Sequence, residues 1–473
     1  MCLTKKSISW IWELRYNELM KRAASGKKAA AKSVRERWIV MMGNITALRK
    51  ELENGGLDER LCRLGCLDPT QVPETARERV RRVTAGFQAA FRKGDEAGVA
   101  LLSAPGRTEI CGNHTDHQRG RVLAASVNLD FLACAAPNGS QTIRFQSEGW
   151  PMVEVDLSLA QIPEEEKETT SSLVRGVAAK IRDMGYKVEG FDAYAISDVL
   201  PGSGLSSSAA CEVLLGVIVN HLFCGDELNA VQIAQIGQYA ENVYFGKPSG
   251  LMDQMASSVG GAVAIDFRDR ENPQVTPMEV NLEKEGYALC IVDSGADHAD
   301  LTSEYAAIPQ EMRAVAAFFG KEVLSQVEER DILAHLPQIR QAAGDRAVLR
   351  ALHFYADDRR VDQESEALKE GNFERFLELV KESGRSSWMY LQDINPAGAV
   401  KHQEMAVALA AAEQVLGGRG ASRVHGGGFA GTIQAFVPLD MLQSFKSQME
   451  AMLGEGCCHV LSIRPEGGTV IWP

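Results

Sequence analysis

Two polar clusters in the sequence contain the residue types needed to bind a hydroxyl-rich molecule and act on it. The first, residues 104–117 (APGRTEICGNHTDH), places an arginine, carboxylates and two histidines in one glycine-framed loop. Carboxylates and imidazoles exchange hydrogen bonds with hydroxyls, and a guanidinium holds a phosphate or another anion. The second carries Glu241 and, twelve residues later, Asp253. Asp253 could accept a hydroxyl proton and Glu241 could bind Mg²⁺, although Asp253 could also be an ordinary helix cap.

A third segment, residues 201–210 (PGSGLSSSAA), has the composition of a phosphate-binding loop and leads into a helical pattern. Its glycines let backbone amides approach a phosphate, and the helix start adds a positive dipole end. The segment lacks the GK[ST] ending of a Walker A loop, the third glycine of a dinucleotide fingerprint and the GxSxG of a nucleophile elbow. Residues 423–432 (RVHGGGFAGT) then place three consecutive glycines before a strand, which indicates a tight turn or a close backbone approach.

The elements that must position these clusters alternate between strand and helix patterns, which predicts an α+β or α/β enzyme. A polar, turn-rich stretch near 268–285 predicts a domain junction. Helices are predicted over 43–66, 73–93, 171–185, 208–224, 228–245, 306–319, 363–382 and 400–416. Strands are predicted over 99–102, 122–127, 131–136, 287–292, 432–437 and 459–463.

Composition narrows the classes of function. The net charge of −13 argues against a nucleic-acid binder, and no apolar run is long enough to span a membrane. None of the ten cysteines forms a CxxC pair, so we expect reduced thiols in the cytoplasm and no zinc site.

The first 40 residues carry ten Lys or Arg and three Glu, and Glu13 and Arg15 interrupt their apolar stretch, so no signal peptide is expected. We expect residues 1–42 to be a poorly ordered basic extension, with a tail that binds a membrane surface or nucleic acid, or a start codon assigned too early, as alternatives.

Taken together, the four motifs resemble the sugar-kinase branch of the GHMP kinase superfamily, and the galactokinase family most closely. Their order matches: APGR…G.HTDH, then PGSGLSSSAA, then GLMDQ, then GGGFAG. The resemblance covers about residues 95–473. It implies an α+β fold of two domains, a mixed α/β N-terminal domain and a ferredoxin-like C-terminal domain, with the active site in the cleft between them. The expected division is a helical lead-in at 43–94, an N-terminal domain at 95–280 and a C-terminal domain at 285–473.

The resemblance also implies the reaction, the transfer of a phosphoryl group from ATP to the anomeric hydroxyl of galactose, with Mg²⁺. It makes Asp253 and Arg107 the catalytic residues and Ser207 and Glu241 the metal ligands. The implied sugar contacts are Asn113, His114, Asp116, Gly250 and Tyr305. The implied ATP loop comprises Gly202, Ser203, Gly204, Leu205, Ser206, Ser207, Ser208 and Ala209. The partner is then a small sugar, without nucleic acid or membrane, and the protein a monomer or weak homo-oligomer.

One position departs from the family's signature. Asn113 stands where the family has a glutamate that holds a distal sugar hydroxyl, so a neutral amide replaces a charged acceptor. Losing such a bond costs about 1.5–3 kcal/mol, which keeps arabinose, galacturonate and N-acetylgalactosamine open as substrates. Glu109 could compensate in part. A catalytically silent sugar sensor and another GHMP activity, such as mevalonate kinase, are further alternatives, although the intact phosphate loop and Asp253 argue against a sensor.

Overall fold

The computed structural model describes residues 43–67, 74–159, 163–200, 202–247, 249–296 and 301–473, and residues 43–473 form one compact unit. The basic extension predicted over residues 1–42 lies outside the described residues. The strands are β1 Ala100–Cys111, β2 Arg121–Pro137, β3 Thr142–Ser147, β4 Val153–Asp156, β5 Phe191–Ser197, β6 Ala262–Asp266, β7 Gln274–Met278, β8 Tyr287–Asp293, β9 Ala421–Val424, β10 Thr432–Pro438, β11 Cys458–Leu461 and β12 Thr469–Trp472. The helices are α1 Ile45–Glu53, α2 Asp58–Gly65, α3 Glu74–Phe91, α4 Thr170–Asp183, α5 Ser207–Val219, α6 Ala230–Tyr239, α7 Met252–Val259, α8 Thr302–Phe318, α9 Glu329–Ala334, α10 Leu336–Ala343, α11 Asp345–Lys369, α12 Phe373–Ser386, α13 Glu404–Leu416 and α14 Leu442–Leu453.

The larger sheet is mixed and has eight strands, in the order β12-β1-β2-β5-β3-β4, with β6 and β7 attached to β2. Among the described strands of this sheet, β3 and β5 alone pair in parallel, and the other pairs are antiparallel. The long strands β1 and β2 form its centre, and their register shifts between Pro105 and Arg107. Such an irregularity bends a strand and re-aims the side chains beside it. Here it lies directly at the predicted catalytic arginine.

The smaller sheet has four antiparallel strands in the order β11-β8-β10-β9. In chain order, helices connect β8 to β9 and α14 connects β10 to β11, which is the arrangement of a ferredoxin-like unit. Its apolar face packs on α13 and α14. The predicted α+β fold with a mixed sheet and a ferredoxin-like unit is therefore confirmed. Strand β12 returns from the C-terminal end to pair with β1, so the predicted domain bounds stay a proposal.

Helix α5 is a buried core helix. Every residue from Ala209 to Val219 is buried, and a π-helical turn, Asn220–Cys224, extends the helix. Among the described residues this stretch alone is long and apolar enough to cross a membrane, and most of it is buried inside the protein. A helix that is apolar on all sides is typical of a protein core. The buried helix therefore holds its own N-terminal end in place, and the glycine- and serine-rich loop leads into that end.

Several predicted elements differ from the observed ones. The predicted helix over 363–382 is wrong as one element, since α11 ends at Lys369 and α12 begins at Phe373. Gly371, with a φ of +69°, turns the chain between them. The predicted strands 122–127 and 131–136 are one strand, β2, and the predicted helix over 43–66 is two helices. The turn-rich stretch after residue 268 contains an additional strand, β7.

Candidate active site

Arg107 and Asp253 form a two-pronged ion pair at the centre of the candidate site. The arginine Nε donates to Asp253 Oδ1 at 2.7 Å and its Nη2 to Oδ2 at 2.6 Å. Ser206 Oγ also donates to Asp253 Oδ2, at 2.7 Å. Burial raises the pKa of Asp253, but the Arg107 charge and the hydrogen bonds from Arg107 and Ser206 outweigh it and lower that pKa below its usual value. Asp253 is therefore an ionised, rigidly oriented carboxylate at neutral pH.

Three elements bring this pair together. Arg107 extends from β1 at the point where its register shifts, and the side chain is almost fully buried. Asp253 is the second residue of α7, where the positive end of the helix dipole stabilises a carboxylate. Ser206 precedes α5 and has a φ of +57°, a left-handed conformation that is unusual for serine. Its hydroxyl bonds Asp253, so the strained residue links the loop to the carboxylate.

The described part of the glycine- and serine-rich loop, residues 202–209, curls around the N-terminal end of α5. Gly202 and Gly204 have φ values of +70° and +68°, which a residue with a side chain would adopt only at a cost. Arg107 holds the loop from β1: its backbone N–H donates to the Leu205 carbonyl at 3.0 Å, and its guanidinium donates to the Gly204 carbonyl. Thr432 Oγ1 donates to the Ser203 carbonyl at 2.7 Å from the other sheet. The loop is thus fixed by both sheets.

Two further carboxyl groups, those of Glu212 and Glu241, lie near Asp253. Gln254 Nε2 donates to Glu241 Oε2 at 3.0 Å and to Glu212 Oε2 at 2.9 Å, while Lys247 Nζ binds Glu241 Oε1 at 2.9 Å. Glu212 Oε1 is buried and accepts no hydrogen bond from any described residue. Burial and the neighbouring Glu241 charge raise the pKa of Glu212 well above its usual value. These oxygens, with the hydroxyl of Ser207, are the hard donors that Mg²⁺ prefers, so the residues present fit that ion.

Two of the predicted sugar contacts, His114 and Tyr305, lie against the third glycine-rich loop. His114 Nε2 lies 3.1 Å from the Gly427 carbonyl, and Tyr305 donates from its hydroxyl to the Gly428 carbonyl at 2.9 Å. Burial and the nearby His117 lower the pKa of His114 to about 3, so its ring is neutral at physiological pH. The His114 side chain is only partly covered, and a neutral imidazole both donates and accepts hydrogen bonds.

Asp116 and Gly250 meet at the same side of the site. A Cβ atom at Gly250 would lie 1.7 Å from Asp116 Oδ2, so only glycine fits this approach. Asp116 Oδ1 accepts the His117 N–H at 2.9 Å, and its Oδ2 lies 3.4 Å from the Met252 nitrogen. The loop before α7 therefore presses its backbone onto the Asp116 carboxylate. A small cavity of about 180 Å³ opens beyond these two residues.

Asn113, the residue that departs from the signature, does not face this cavity. Its side chain is 0% exposed, and its Nδ2 donates to Asp393 Oδ2 at 2.8 Å and to Ser387 Oγ at 3.2 Å. Glu109 is equally enclosed and pairs with Arg423 at 2.9 Å. The predicted contact of Asn113 with a sugar stays a prediction, and the geometry favours a supporting position behind His114.

Comparisons with known proteins identify the family of this chain. The galactokinase galactose-binding signature matches residues 85–137, and the GHMP kinases N-terminal domain matches residues 172–261. A galactokinase from Actinobacillus pleuropneumoniae serotype 5b (strain L20) is 32% identical over 72% of this chain and 86% of its own. A galactokinase from Streptomyces coelicolor (strain A3(2)) is 31% identical over 70% of this chain and 83% of its own. The chain belongs to the galactokinase family.

Solved structures place the fold in the same family. The Lactococcus lactis galactokinase complexed with galactose matches with a TM-score of 0.71 at 25% identity, over 82% of this chain and 99% of that one. The L. major mevalonate kinase in complex with R-mevalonate matches with a TM-score of 0.52 at 14% identity, over 78% of this chain and 97% of that one. At that identity the second likeness concerns the fold alone.

Two features of this galactokinase-family site had no recognisable signal in the sequence. One is a cavity of about 590 Å³ beside the start of α5, lined by Ser207 and Ser208 and by the mainly apolar side chains of Phe131, Phe145, Trp150, Leu173, Cys211 and Phe245. The other is Asp393, which follows a π-helical turn, Ser387–Leu391, and reaches Asn113 from 280 residues away. Neither belongs to a contiguous motif, and only the folded chain brings their parts together.

Proposed function

We propose that this chain transfers the γ-phosphoryl group of ATP to the anomeric hydroxyl of galactose, giving galactose 1-phosphate and ADP. The Arg107–Asp253 ion pair, bonded to Ser206 of the phosphate loop, is the observation that carries the proposal. It joins a carboxylate that can accept a hydroxyl hydrogen to a loop that can hold phosphates. Family membership supports the same reaction.

The proposed roles on the sugar side follow from charge and exposure. Asp253 orients the anomeric hydroxyl and accepts its proton as the bond to phosphorus forms. Arg107 fixes that carboxylate with two hydrogen bonds and offers positive charge to the migrating phosphoryl group. The other hydroxyls are assigned to the polar side chains of His114, Asp116 and Tyr305 and to the backbone of Gly250. In phosphoryl transfer, such positioning provides most of the catalysis.

The nucleotide side uses the loop and the apolar cavity. The backbone amides of residues 202–209 and the N-terminal end of α5 bind the β- and γ-phosphates. The adenine ring enters the cavity of about 590 Å³, whose lining is mainly apolar and adjoins Ser207 and Ser208. Trp150 at its edge is 68% exposed and could cover the ring. The cavity and the loop share those two serines, so one molecule can occupy both.

A magnesium ion would be held by Ser207 and Glu241. Both offer oxygen donors, and the neighbouring Glu212 keeps a buried oxygen without a partner among the described residues. When bound, the ion neutralises charge on the β- and γ-phosphates. Lys247 contacts Glu241 at 2.9 Å and would have to share or release that carboxylate.

The alternatives concern the sugar. Because the Asn113 amide bonds Ser387 and Asp393, it offers no charged acceptor to a distal hydroxyl. This favours arabinose as the second candidate, since arabinose lacks the distal carbon group; galacturonate and N-acetylgalactosamine remain less favoured. A silent sensor is disfavoured by the intact Arg107–Asp253 pair.

We also propose a reducing, cytoplasmic compartment and a monomer or weak homo-oligomer. No disulfide bond joins the cysteines that the structure describes, which supports that compartment.

Measurement of ADP release with Mg²⁺ and ATP against a panel of acceptors tests the proposal. The panel contains galactose, arabinose, galacturonate, N-acetylgalactosamine, glucose and mevalonate. We expect galactose to give the highest kcat/KM. Higher kcat/KM with arabinose would transfer the assignment to that sugar. Sugar binding without ADP release would support the sensor and overturn the kinase.

A further inference from the structure

Asn113 and Asp393 form a contact that the reaction proposed above does not use. Both side chains are 0% exposed, and Asn113 Nδ2 donates to Asp393 Oδ2 at 2.8 Å. Each side chain has one further oxygen, Oδ1, that is buried and accepts no hydrogen bond from any described residue. Two unpaired acceptors on adjacent buried side chains are costly, because each has lost its water. A single proton placed between them removes both costs.

That proton fits on Asp393. A protonated carboxyl donates one O–H bond, so Asp393 Oδ1 can donate to Asn113 Oδ1 while Asp393 Oδ2 accepts from Asn113 Nδ2. The two side chains would then form a closed acid–amide ring in which each of these polar atoms has a partner. Burial raises the pKa of Asp393 to about 8, which agrees with a proton at neutral pH. The charged or titratable groups that face it are Glu109, Arg423, Arg350 and Tyr305, on β1, β9, α11 and α8.

The pair connects two glycine-containing loops, residues 423–432 through Asp393 and residues 104–117 through Asn113. Asp393 accepts the Phe429 N–H at its backbone carbonyl, and a Cβ at Gly428 would lie 2.6 Å from Asp393 Oδ2. Gly428 in turn accepts the Tyr305 hydroxyl at 2.9 Å. At the other end of the pair, Asn113 directly precedes His114.

The backbone of Asn113 is fixed as firmly as its side chain. Its N–H donates to Asp357 Oδ2 at 3.0 Å, and its carbonyl lies 3.0 Å from His353 Nε2. Asn113 is therefore held through its N–H and its carbonyl by α11, and through its side chain by the segment after α12. The pair thus has His114 next to it in the chain on one side and contacts the loop of Gly428, which accepts the Tyr305 hydroxyl, on the other.

We propose that Asn113 and Asp393 form a hydrogen-bonded acid–amide pair that positions His114 and Tyr305 for the sugar. In this inference, which rests on the proposed function, both are positioning residues, and position 113 governs sugar affinity through the Gly428 loop without touching the sugar. A glutamate at 113 would place a second carboxyl beside Asp393 in a buried site. The asparagine and the aspartate consequently depend on one another.

Two variants separate this pair from a merely structural contact. Asp393→Asn carries a fixed N–H donor where the proposed proton lies, so it can close the same ring at any pH. Asn113→Leu has a similar shape and no hydrogen bonds. For the wild type we expect the KM for galactose to rise several-fold from pH 7 to pH 9.5, and for Asp393→Asn we expect it to stay level. Asn113→Leu should raise that KM about tenfold or more at every pH, with kcat and the KM for ATP changed little.

The control is Glu370→Gln, which removes an exposed carboxylate and should keep the wild-type pH profile. An Asp393→Asn profile that rises like the wild type's, or an Asn113→Leu variant with an unchanged KM, would overturn the pair. Thermal unfolding without substrate gives a second test. From pH 5 to pH 8.5, the melting temperature of the wild type should fall by a few degrees more than that of Asp393→Asn. Melting temperatures that change in parallel would contradict the proposed proton on Asp393. That readout holds even if galactose is not the substrate, so failure of the pair and failure of the reaction are distinguishable.

Discussion

At the residue scale, the proposed reaction depends on the Arg107–Asp253 pair. The guanidinium keeps the pKa of Asp253 below its usual value, so the carboxylate is a weak base but is always ionised and oriented. In the proposed reaction, such a residue would act mainly by fixing the direction of the attacking hydroxyl and by receiving its proton late in the transfer. Rate, more than affinity, should depend on it.

Asp253→Asn tests this role. We expect kcat to fall at least about 10²-fold, the low end for a general base, while the KM values for galactose and ATP change by much smaller factors. Steady-state ADP release gives all three values. Asp269→Asn, an exposed aspartate that bonds only its own turn, is the matched control and should keep wild-type rates. Near-normal turnover of Asp253→Asn would remove Asp253 from the chemistry.

At the element scale, glycines set how closely the loops approach the site. Gly428 has a φ of +79°, and a Cβ there would lie 2.2 Å from the Asp393 carbonyl oxygen and 2.6 Å from its Oδ2. The glycine therefore permits the contact between the third glycine-rich loop and the segment after α12. Because Gly427 and Gly428 supply the carbonyls that His114 and Tyr305 contact, the spacing of this loop sets the positions of both side chains.

Gly428→Ala should raise the KM for galactose at least several-fold and lower the free energy of unfolding by about 1–3 kcal/mol, the cost of a strained backbone position. Gly320→Ala separates the clash from the backbone strain: Gly320 has a φ of +67° and no atom within 4 Å of its Cβ position. The control should lose stability without a change in KM. Steady-state kinetics and urea unfolding of both variants measure these effects. If Gly428→Ala and Gly320→Ala had the same KM for galactose, the spacing of the loop would be unimportant for sugar binding.

The sequence predicts elements and contiguous motifs better than distant contacts. Arg107, Ser206 and Asp253 are predicted because each lies in a short segment of recognisable composition, and the fold brings the three together. The helix over 363–382 is predicted wrongly because its apolar pattern continues across Gly371. Asp393 and the apolar cavity could not be predicted, since their parts come from segments far apart and carry no local pattern. Whether Asn113 faces the sugar likewise depends on partners that only the folded chain supplies.

At the scale of the whole molecule, buried charges connect the two sheets beneath the site. Arg423 on β9 is 1% exposed, binds Glu109 on β1 at 2.9 Å and also donates to the Ile110 carbonyl. Burial raises the pKa of Glu109 to about 7, and the Arg423 charge opposes that rise. The ion pair thus fixes the strand that carries Arg107 against the strand that precedes the third glycine-rich loop. Removing the arginine would leave a buried carboxylate without its counter-charge.

Arg423→Met should lower the free energy of unfolding by about 3–5 kcal/mol near pH 8, the usual cost of breaking a buried pair. The loss should be smaller at pH 5.5, because without Arg423 the pKa of Glu109 rises further and the carboxyl holds a proton there. Urea unfolding at the two pH values measures the difference. Arg419→Met, which breaks an exposed pair with Asp440, should cost less than about 1 kcal/mol at both. A pH-independent loss in Arg423→Met would mean that lost packing, and not charge, is responsible.

The reaction itself is tested most directly by the identity of its product. The protein is incubated with ATP, Mg²⁺ and galactose labelled with ¹³C at the anomeric carbon, and the mixture is followed by ³¹P and ¹³C nuclear magnetic resonance. We predict a sugar phosphate whose phosphorus couples to the labelled anomeric carbon, formed in equal amount to ADP and absent with Asp253→Asn. A phosphate on any other carbon, or ADP formed without a sugar phosphate, would contradict the proposed placement of the anomeric hydroxyl between Asp253 and the phosphate loop.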